Sequence, residues 1–520
     1  MLARLVRWAP AGAADGSLKG ERRVDTSAVS GDRTAAGGAR APRSAVPPVG
    51  ARSWWLEQAL RADPGEPCPP LTGEVAADVC VVGGGFAGLW TAYELTERAP
   101  GIDVVLLEAD VCGAGGSGAN GGAFSSSWHV LPSLCRMFGE EAGVTYARAL
   151  ADQVDELVAW NARHNADIDL HHEGILYARA EEWQPVLDPE GQRILAAHGL
   201  SERFKPVGAE EARRVADSPR FVGAAFTPDL ATVQPAKLAR ELRRVLLERG
   251  VRVFEGTPMR SIVDGKPARV RTPEGEVTAD QVVLTVGAWA ASQPHFGRAF
   301  AVGIDYMVVT EPIPARLAEI GWTTHTAIID SRELLYYLRR TDDDRIAIGG
   351  GSMGVVCGGR IDGQDRATRR ARTSPRMAAM AAHGLTWLFP QLEGVRFDAA
   401  WSGPMDMAPP GVPFFETSPR GDVHAGLGFS GHGLTSTKVG GKTLASLVLG
   451  ADDEWSRLPV VGPPLIKVPP EPLRRPLVQV VAWAYESGDR AQERGRRRGL
   501  VRTAVERAFD AYAARAERRG

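Results

Sequence analysis

The tightest constraint on the fold lies between Asp78 and Glu108, where three local patterns follow one another in fixed order. Asp78-Val79-Cys80-Val81-Val82 is a short apolar run suited to a strand buried on both faces. Gly83-Gly84-Gly85-Phe86-Ala87-Gly88 comes next, and Leu89 to Leu95 then takes up a helical pattern. After Gly101, Val104-Val105-Leu106-Leu107-Glu108 reads as a second buried strand that ends on a carboxylate, twenty residues beyond Gly88. Gly83 allows the tight turn, Gly85 lets the backbone approach a pyrophosphate, and Gly88 lets the helix pack closely on the strand. The amides at the helix start, around Phe86 and Ala87, combine free N–H groups with the positive dipole end and can hold phosphates. Glu108 can accept hydrogen bonds from ribose hydroxyls and would repel a 2′-phosphate, which disfavours NADP. Strand, glycines, helix, strand and acid in this order predict a dinucleotide-binding unit, a far more specific signal than the glycines alone.

The rest of the chain narrows the class. Its 520 residues predict two to four domains. Sixty-one Lys and Arg against 63 Asp and Glu leave a charge of -2, so no global field recruits nucleic acid. No apolar run reaches the ~18–20 residues that a bilayer span needs. Five cysteines without a C-x-x-C pair argue for a reducing, cytoplasmic setting. Residues 1–52 read as a disordered tail, with the fold beginning near Ser53. At the other end a Pro-rich connector leads to residues 490–520, with ten Arg against four acids. There Val501, Val505, Phe509 and Tyr512 recur at helical spacing and predict a basic amphipathic helix. Docking on the body is the expected role of that helix, and contact with an acidic partner or an anionic membrane surface is the alternative.

Gly113-Ala114-Gly115-Gly116-Ser117-Gly118-Ala119-Asn120-Gly121-Gly122 follows Glu108 where a plain NAD unit would start another helix, and suits close passage along a bulky flavin. With that run, DVCVVGGGFAGL, VVLLEAD, QVVLTVGAWA at 281–290, the hairpin LLYYLRRTDDDRIAIGGG at 334–351, WSGPMD at 401–406 and GLGFSGHGLTSTKVGGKTLASLVLG at 426–450, the chain resembles the FAD-dependent amine and amino-acid oxidoreductases of the D-amino-acid oxidase and glycine–sarcosine oxidase type. Gamma-glutamylputrescine oxidoreductase-like members are the nearest in pattern. The resemblance implies an α/β fold in which a Rossmann-like FAD domain is interleaved with an antiparallel-sheet substrate domain, followed by C-terminal helices. It divides the chain into FAD-binding segments at 53–125, 206–295 and 396–450, substrate segments at 126–205 and 296–395, and a terminal region at 451–520. The local pattern agrees, with an amphipathic helix at Pro235–Gly250 and a strand at 251–256.

The resemblance also implies non-covalent FAD. Its contacts would come from Gly83, Gly85, Phe86, Ala87, Gly88, Glu108, Ala109, Gly116, Ser117, Asn120, Gly121, Gly122, Val253, Thr285, Gly287 and Trp289. A second turn, Gly428, Gly431, His432, Gly433, Leu434 and Thr435, would face the pyrimidine end of the isoalloxazine, where a helix N-terminus favours the negative charge of the reduced ring. His432, as a cation or hydrogen-bond donor, could add to that stabilisation. Tyr306, Tyr336, Tyr337 and Trp401 are candidates for the pocket wall over the flavin. The expected reaction oxidises a C–N bond of an amine or amino acid by hydride transfer to flavin N5, with electrons passing to O₂. A dehydrogenase using a quinone or carrier, and a non-catalytic flavin subunit of a complex, are the alternatives.

Two departures matter. Sarcosine-oxidase-like members carry a lysine where Thr435 stands, with Lys438 expected to point elsewhere, which favours an amine over a small α-amino acid held by its carboxylate. Many relatives have Arg where Ala119 precedes Asn-Gly-Gly. The stretch Leu334–Leu338 lacks the cysteine used for covalent attachment in monomeric sarcosine oxidases, and His129 is the remaining covalent candidate. A second glycine match, Gly349 to Gly354 with Arg369, Arg370 and Arg372 downstream, leaves an NAD(P)H-dependent reductase or monooxygenase as a further alternative.

Overall fold

The computed structural model describes residues 46–181, 189–356, 361, 366–409, 411–493, 502–505 and 507–508. The expected tail lies outside these residues up to 45, and so does most of the expected basic helix, including Val501, Phe509 and Tyr512.

Two sheets carry the fold. The first has at its centre strand Gly73–Val82, parallel to Val104–Leu107 on one side and to Gly275–Leu284 on the other. Arg252–Phe254 extends it in parallel beyond Val104–Leu107, and Val423–Leu427 does so beyond Gly275–Leu284. Helices cover this core, so its strands are apolar where they meet: Val104–Leu107 is buried at every position, and so are Val79 to Val82 of the central strand. Helix Phe86–Arg98 follows the first strand, and the amphipathic segment expected at 235–250 forms helix Pro235–Glu248.

The second sheet runs Gly354–Val355, Ala301–Thr310, Ile346–Gly350, Tyr336–Arg340, Ala327–Asp330, Ile175–Arg179, Gly223–Thr227, Lys205–Val207, with Phe397–Met407 paired along Ala301–Thr310. It is antiparallel save for Ala327–Asp330 beside Ile175–Arg179. The expected segment boundaries at 205/206 and 395/396 do not coincide with the sheets. Lys205–Val207, Gly223–Thr227 and Phe397–Met407 all pair in the second sheet, the first on Gly223–Thr227, the second also on Ile175–Arg179 and the third on Ala301–Thr310.

Ser53 caps helix Trp54–Ala62 with its hydroxyl on the Leu56 amide (3.0 Å). Near the other end, helix Arg474–Glu493, which the Pro-rich reading did not anticipate, buries Val481, Ala484 and Tyr485 against the body. Among the described residues no helix is long and apolar enough to cross a membrane.

Candidate active site

At the end of the first strand Gly83 takes φ +113° and donates its N–H to the Leu107 carbonyl (2.8 Å), closing the expected turn. A Cβ on Gly88 would stand 2.0 Å from the Gly83 carbonyl oxygen and 2.8 Å from Thr285 Oγ1, so the helix can approach the turn only with glycine there. Glu108 is anchored: its carboxylate accepts the Gly84 N–H (2.7 Å) and the Asp110 N–H (2.9 Å), while burial pushes its pKa up. Ser117 Oγ accepts the Phe86 N–H (2.9 Å) at the start of the helix. Asn120 spends its side chain on its own loop, donating to the Gly116 and Ser117 carbonyls (3.2 and 2.6 Å) and accepting the Gly122 N–H (2.8 Å).

The second turn is tied to strand Phe397–Met407 by a buried carboxylate. Asp406 accepts the Gly428 N–H (2.6 Å) on Oδ2, and its carbonyl accepts the Ser430 N–H (3.1 Å). Burial pushes the Asp406 pKa up to about 6. Ser430 sits at φ +53° and bridges the Gly428 carbonyl and the Ala408 amide through its hydroxyl. His432 then stands just before helix Gly433–Leu449. His432 Nε2 and Thr435 Oγ1 are buried without a hydrogen-bond partner among the described residues, as two polar atoms meant for a bound molecule would be. Burial lowers the His432 pKa, so the ring is neutral at neutral pH; the cationic reading gives way to that of a hydrogen-bond donor. The helices from the two turns pack on each other at Gly441, where a Cβ would meet Trp90 Cβ at 2.6 Å.

One cavity of about 1040 Å³ runs between the turns. It is lined by Gly83, Gly85, Phe86, Ala87, Glu108, Ala109, Gly116, Ser117, Asn120, Gly121, Thr285, Gly287, Trp289, Gly431, His432, Gly433, Leu434 and Thr435. Gly88, Gly122, Val253 and Gly428 do not line it. Gly88 lies beneath the turn, Gly122 is closed in by the Val233 carbonyl and Arg339, Val253 is buried in its strand beside Leu106, and Gly428 is tied to Asp406. Lys438 also points away, its ammonium on Gln153 Oε1 (3.0 Å) and Glu156 Oε2 (2.6 Å).

Of the four aromatic residues expected over the flavin, only Tyr337 faces the cavity. Tyr306 is turned away, its hydroxyl donating to the Ala371 carbonyl and accepting the Ser374 N–H (3.0 Å); its neighbours Asp305 and Met307 line the cavity instead. The ring of Tyr336 fills space left by Gly351 and Gly384 and lies under the Arg332 guanidinium. Trp401 is fully buried and donates Nε1–H to the Ala119 carbonyl (2.9 Å), bracing the small-residue loop, while Ser402 to Asp406 reach the cavity. The corrections at Tyr306 and Tyr336 follow from strand alternation, which sends adjacent side chains to opposite faces, whereas Trp401 is held off the cavity by its own bond to Ala119.

Tyr337 reaches across strand Ile346–Gly350 to donate its hydroxyl to Asp305 Oδ2 (2.6 Å). A Cβ on Gly349 would lie 2.2 Å from the Tyr337 hydroxyl, so this glycine clears the path of the ring. The second glycine match is therefore a packing feature: its strand is paired on both sides, and no helix begins at the glycines. That removes the motif on which the NAD(P)H alternative stood.

Several wall residues carried no sequence signal. Asp305 is pushed up to about 6 by burial, against the Tyr337 hydroxyl and the Tyr306 amide, and makes no ion pair among the described residues. Arg332 pairs with Asp330 and with Glu493 Oε1 (2.5 Å) of the last long helix. Arg339 is buried and pushed down to about 10; it donates to the Val233 carbonyl and to the Arg340 carbonyl (3.3 Å). His129, singled out in the sequence as a covalent candidate, lines the same wall: it stacks on Tyr177 with centroids 4.9 Å apart, takes part in a 3.1 Å Tyr177 Oη–His129 Nδ1 hydrogen bond, and lies 5.8 Å from the His432 ring.

Comparison with known proteins identifies the family and the fold. The family model described as DAO, FAD dependent oxidoreductase, matches residues 78–447. Gamma-glutamylputrescine oxidoreductase of Escherichia coli is 28% identical over 387 residues, covering 74% of this chain and 86% of that protein. Glycine oxidase of Pseudomonas putida is 24% identical over 405 residues, 75% of this chain and 97% of its own length. The crystal structure of glycine oxidase from Geobacillus kaustophilus superposes with a TM-score of 0.55 at 24% identity, covering 73% of this chain and 96% of that one, a likeness of fold.

Proposed function

The chain belongs to the DAO family of FAD-dependent oxidoreductases, enzymes of amine and amino-acid C–N groups, and from that premise we propose that it oxidises an amine whose nitrogen is recognised as a cation by Asp305. The cavity residues fit FAD. The glycine-shaped first turn, the Ala87 amide and the Ser117 hydroxyl, itself fixed by the Phe86 N–H, would hold the pyrophosphate, and Glu108 the ribose. The unpartnered His432 Nε2 and Thr435 Oγ1, at the positive end of helix Gly433–Leu449, would meet the pyrimidine edge. Bound FAD would supply the two-electron chemistry: the ammonium would give a proton to the Asp305 carboxylate, the carbon beside the now neutral nitrogen would give up a hydride, and the substrate would leave as a protonated imine for hydrolysis, with O₂ as the electron acceptor.

What the chain itself contributes is position. The observation that carries the amine reading is a cavity carboxylate that has no cationic partner among the described residues and is held in place by the Tyr337 hydroxyl. Such a group gains a charge-assisted hydrogen bond when an ammonium arrives. Thr435 adds to this by supplying no cation for a substrate carboxylate. The wall arginine Arg332 is already paired with Asp330 and Glu493. His129 is oriented by Tyr177, and FAD is held non-covalently in this reading. Arg339 supports a second reading, an amino acid whose carboxylate meets its guanidinium, because Arg339 lines the cavity and among the described residues has two carbonyls and the Trp55 ring as partners but no carboxylate in an ion pair.

Anaerobic titration of the yellow protein with paired substrates, amines with and without an α-carboxylate, decides between the two. The amine reading expects bleaching near 450 nm by amines lacking the carboxylate and release of FAD on acid precipitation. Bleaching confined to α-amino acids would overturn it in favour of the second.

A further inference from the structure

We propose that His171, His325 and Asp342 form a binding site for one divalent transition-metal ion, with Zn²⁺ as the fitting example, outside the flavin cavity. The three residues come from segments far apart in sequence. His171 precedes strand Ile175–Arg179, His325 precedes Ala327–Asp330, and Asp342 lies in the turn between Tyr336–Arg340 and Ile346–Gly350. Their ligand atoms all lie within 4.8 Å of one another. His171 Nε2 is 2.7 Å from Asp342 Oδ1, and His325 Nδ1 is 4.0 Å from the same oxygen.

The histidines lie face to face, centroids 3.5 Å apart and 1° from parallel. His325 Nδ1 is buried and makes no hydrogen bond, a donor or acceptor left without a use inside the protein. Zn–N and Zn–O bonds of about 2.0–2.2 Å place tetrahedral ligand atoms about 3.3–3.5 Å apart. The observed 2.7 and 4.0 Å separations from Asp342 Oδ1 bracket that value, and because the stacked rings hold their nitrogen lone pairs in parallel planes, both rings must tilt out of the stack for the two nitrogens to meet one ion. Two imidazoles with one carboxylate suit zinc, nickel or copper over magnesium or calcium, which prefer all-oxygen sites. Water would complete the coordination.

The backbone beneath is already fixed. His171 exchanges both main-chain hydrogen bonds with Thr232 (3.0 and 2.8 Å), and the His325 N–H donates to Glu173 Oε2 (2.8 Å). Arg340 and Asp344 clasp the turn that presents Asp342 (2.5 Å). Each segment also carries part of the cavity wall: Ile175 and Tyr177, Ala327 to Asp330, and Tyr337 to Arg339. A bound ion would therefore clamp three pieces of that wall to one another.

The test is zinc uptake by the full-length flavoprotein after chelator treatment, measured by equilibrium dialysis and elemental analysis. One equivalent should bind saturably to the parent protein. His325→Gln and Asp342→Asn should each weaken binding at least tenfold while keeping the flavin absorbance that marks an intact fold. Failure of the parent to take up zinc saturably, or uptake unchanged in both variants, would overturn the proposal.

Discussion

The two sides of the cavity are built in different ways. The cofactor side is made of backbone: two turns whose glycines bring amide hydrogens and helix N-termini to one space. The substrate side is made of side chains projecting from Ala301–Thr310, Ala327–Asp330, Tyr336–Arg340 and Phe397–Met407. A backbone site is specified by local sequence, because the residues that allow the turn are the residues of the turn. A side-chain site on a sheet is specified by which face each residue takes, and that depends on partners far along the chain.

The largest effect should come from the backbone side. Gly88→Val puts a branched side chain where even a Cβ meets the Gly83 carbonyl at 2.0 Å, with no flexible group to give way. The purified variant should be colourless and take up little added FAD. Retention of FAD at the parental level would mean that the turn is not what grips the cofactor.

On the side-chain side, Asp305→Asn should leave FAD bound and lower kcat/KM for amines about ten- to hundredfold, the worth of a charge-assisted hydrogen bond of ~1.5–3 kcal/mol. The pH profile sharpens the point. Binding needs the ionised carboxylate, so in the parent kcat/KM should rise with pH through about 6, where burial has placed Asp305. That limb should vanish in the Asn variant; its persistence would assign it to another group. The linkage to stability has the opposite sign. A carboxyl whose folded pKa is raised holds its proton after the unfolded chain has lost it, so Asp305 and Asp406 both make the fold less stable as pH climbs from about 4 to about 6.

This contrast explains what the sequence could reveal. The order from Val79 to Glu108 announced strand, turn, helix and strand because each step is a local pattern, and the turn at Gly428 to Thr435 was visible in the same way. The sheet of the second domain was visible as alternating segments, but which face pointed inward was not. Tyr306, Tyr336 and Trp401 were chosen for their chemistry, and each proved to stand beside a cavity residue, next to Asp305, Tyr337 and Ser402. Gly349 looked like part of a phosphate loop because its role, making room for a ring from the next strand, is a long-range contact. Helix Arg474–Glu493 was hidden by the prolines around its start, and Arg332 gave no hint that it would reach Glu493 on that helix.

The finest test separates neighbours by the face they occupy. Tyr337→Phe removes the hydroxyl that steadies ionised Asp305, so the pH limb should move upward and kcat/KM fall several-fold at neutral pH. Tyr306→Phe removes a hydroxyl only one residue from Asp305 along the chain, yet on the far face, bonded to Ala371 and Ser374. It should cost about 0.5–1.5 kcal/mol of stability, seen in the thermal midpoint, and leave the pH limb where it was. If the two variants shift the limb equally, what matters is nearness along the strand rather than the face. The assignment of Asp305 and Tyr337 to the cavity as a functional pair would then fail, even though the turns that hold the cofactor stand.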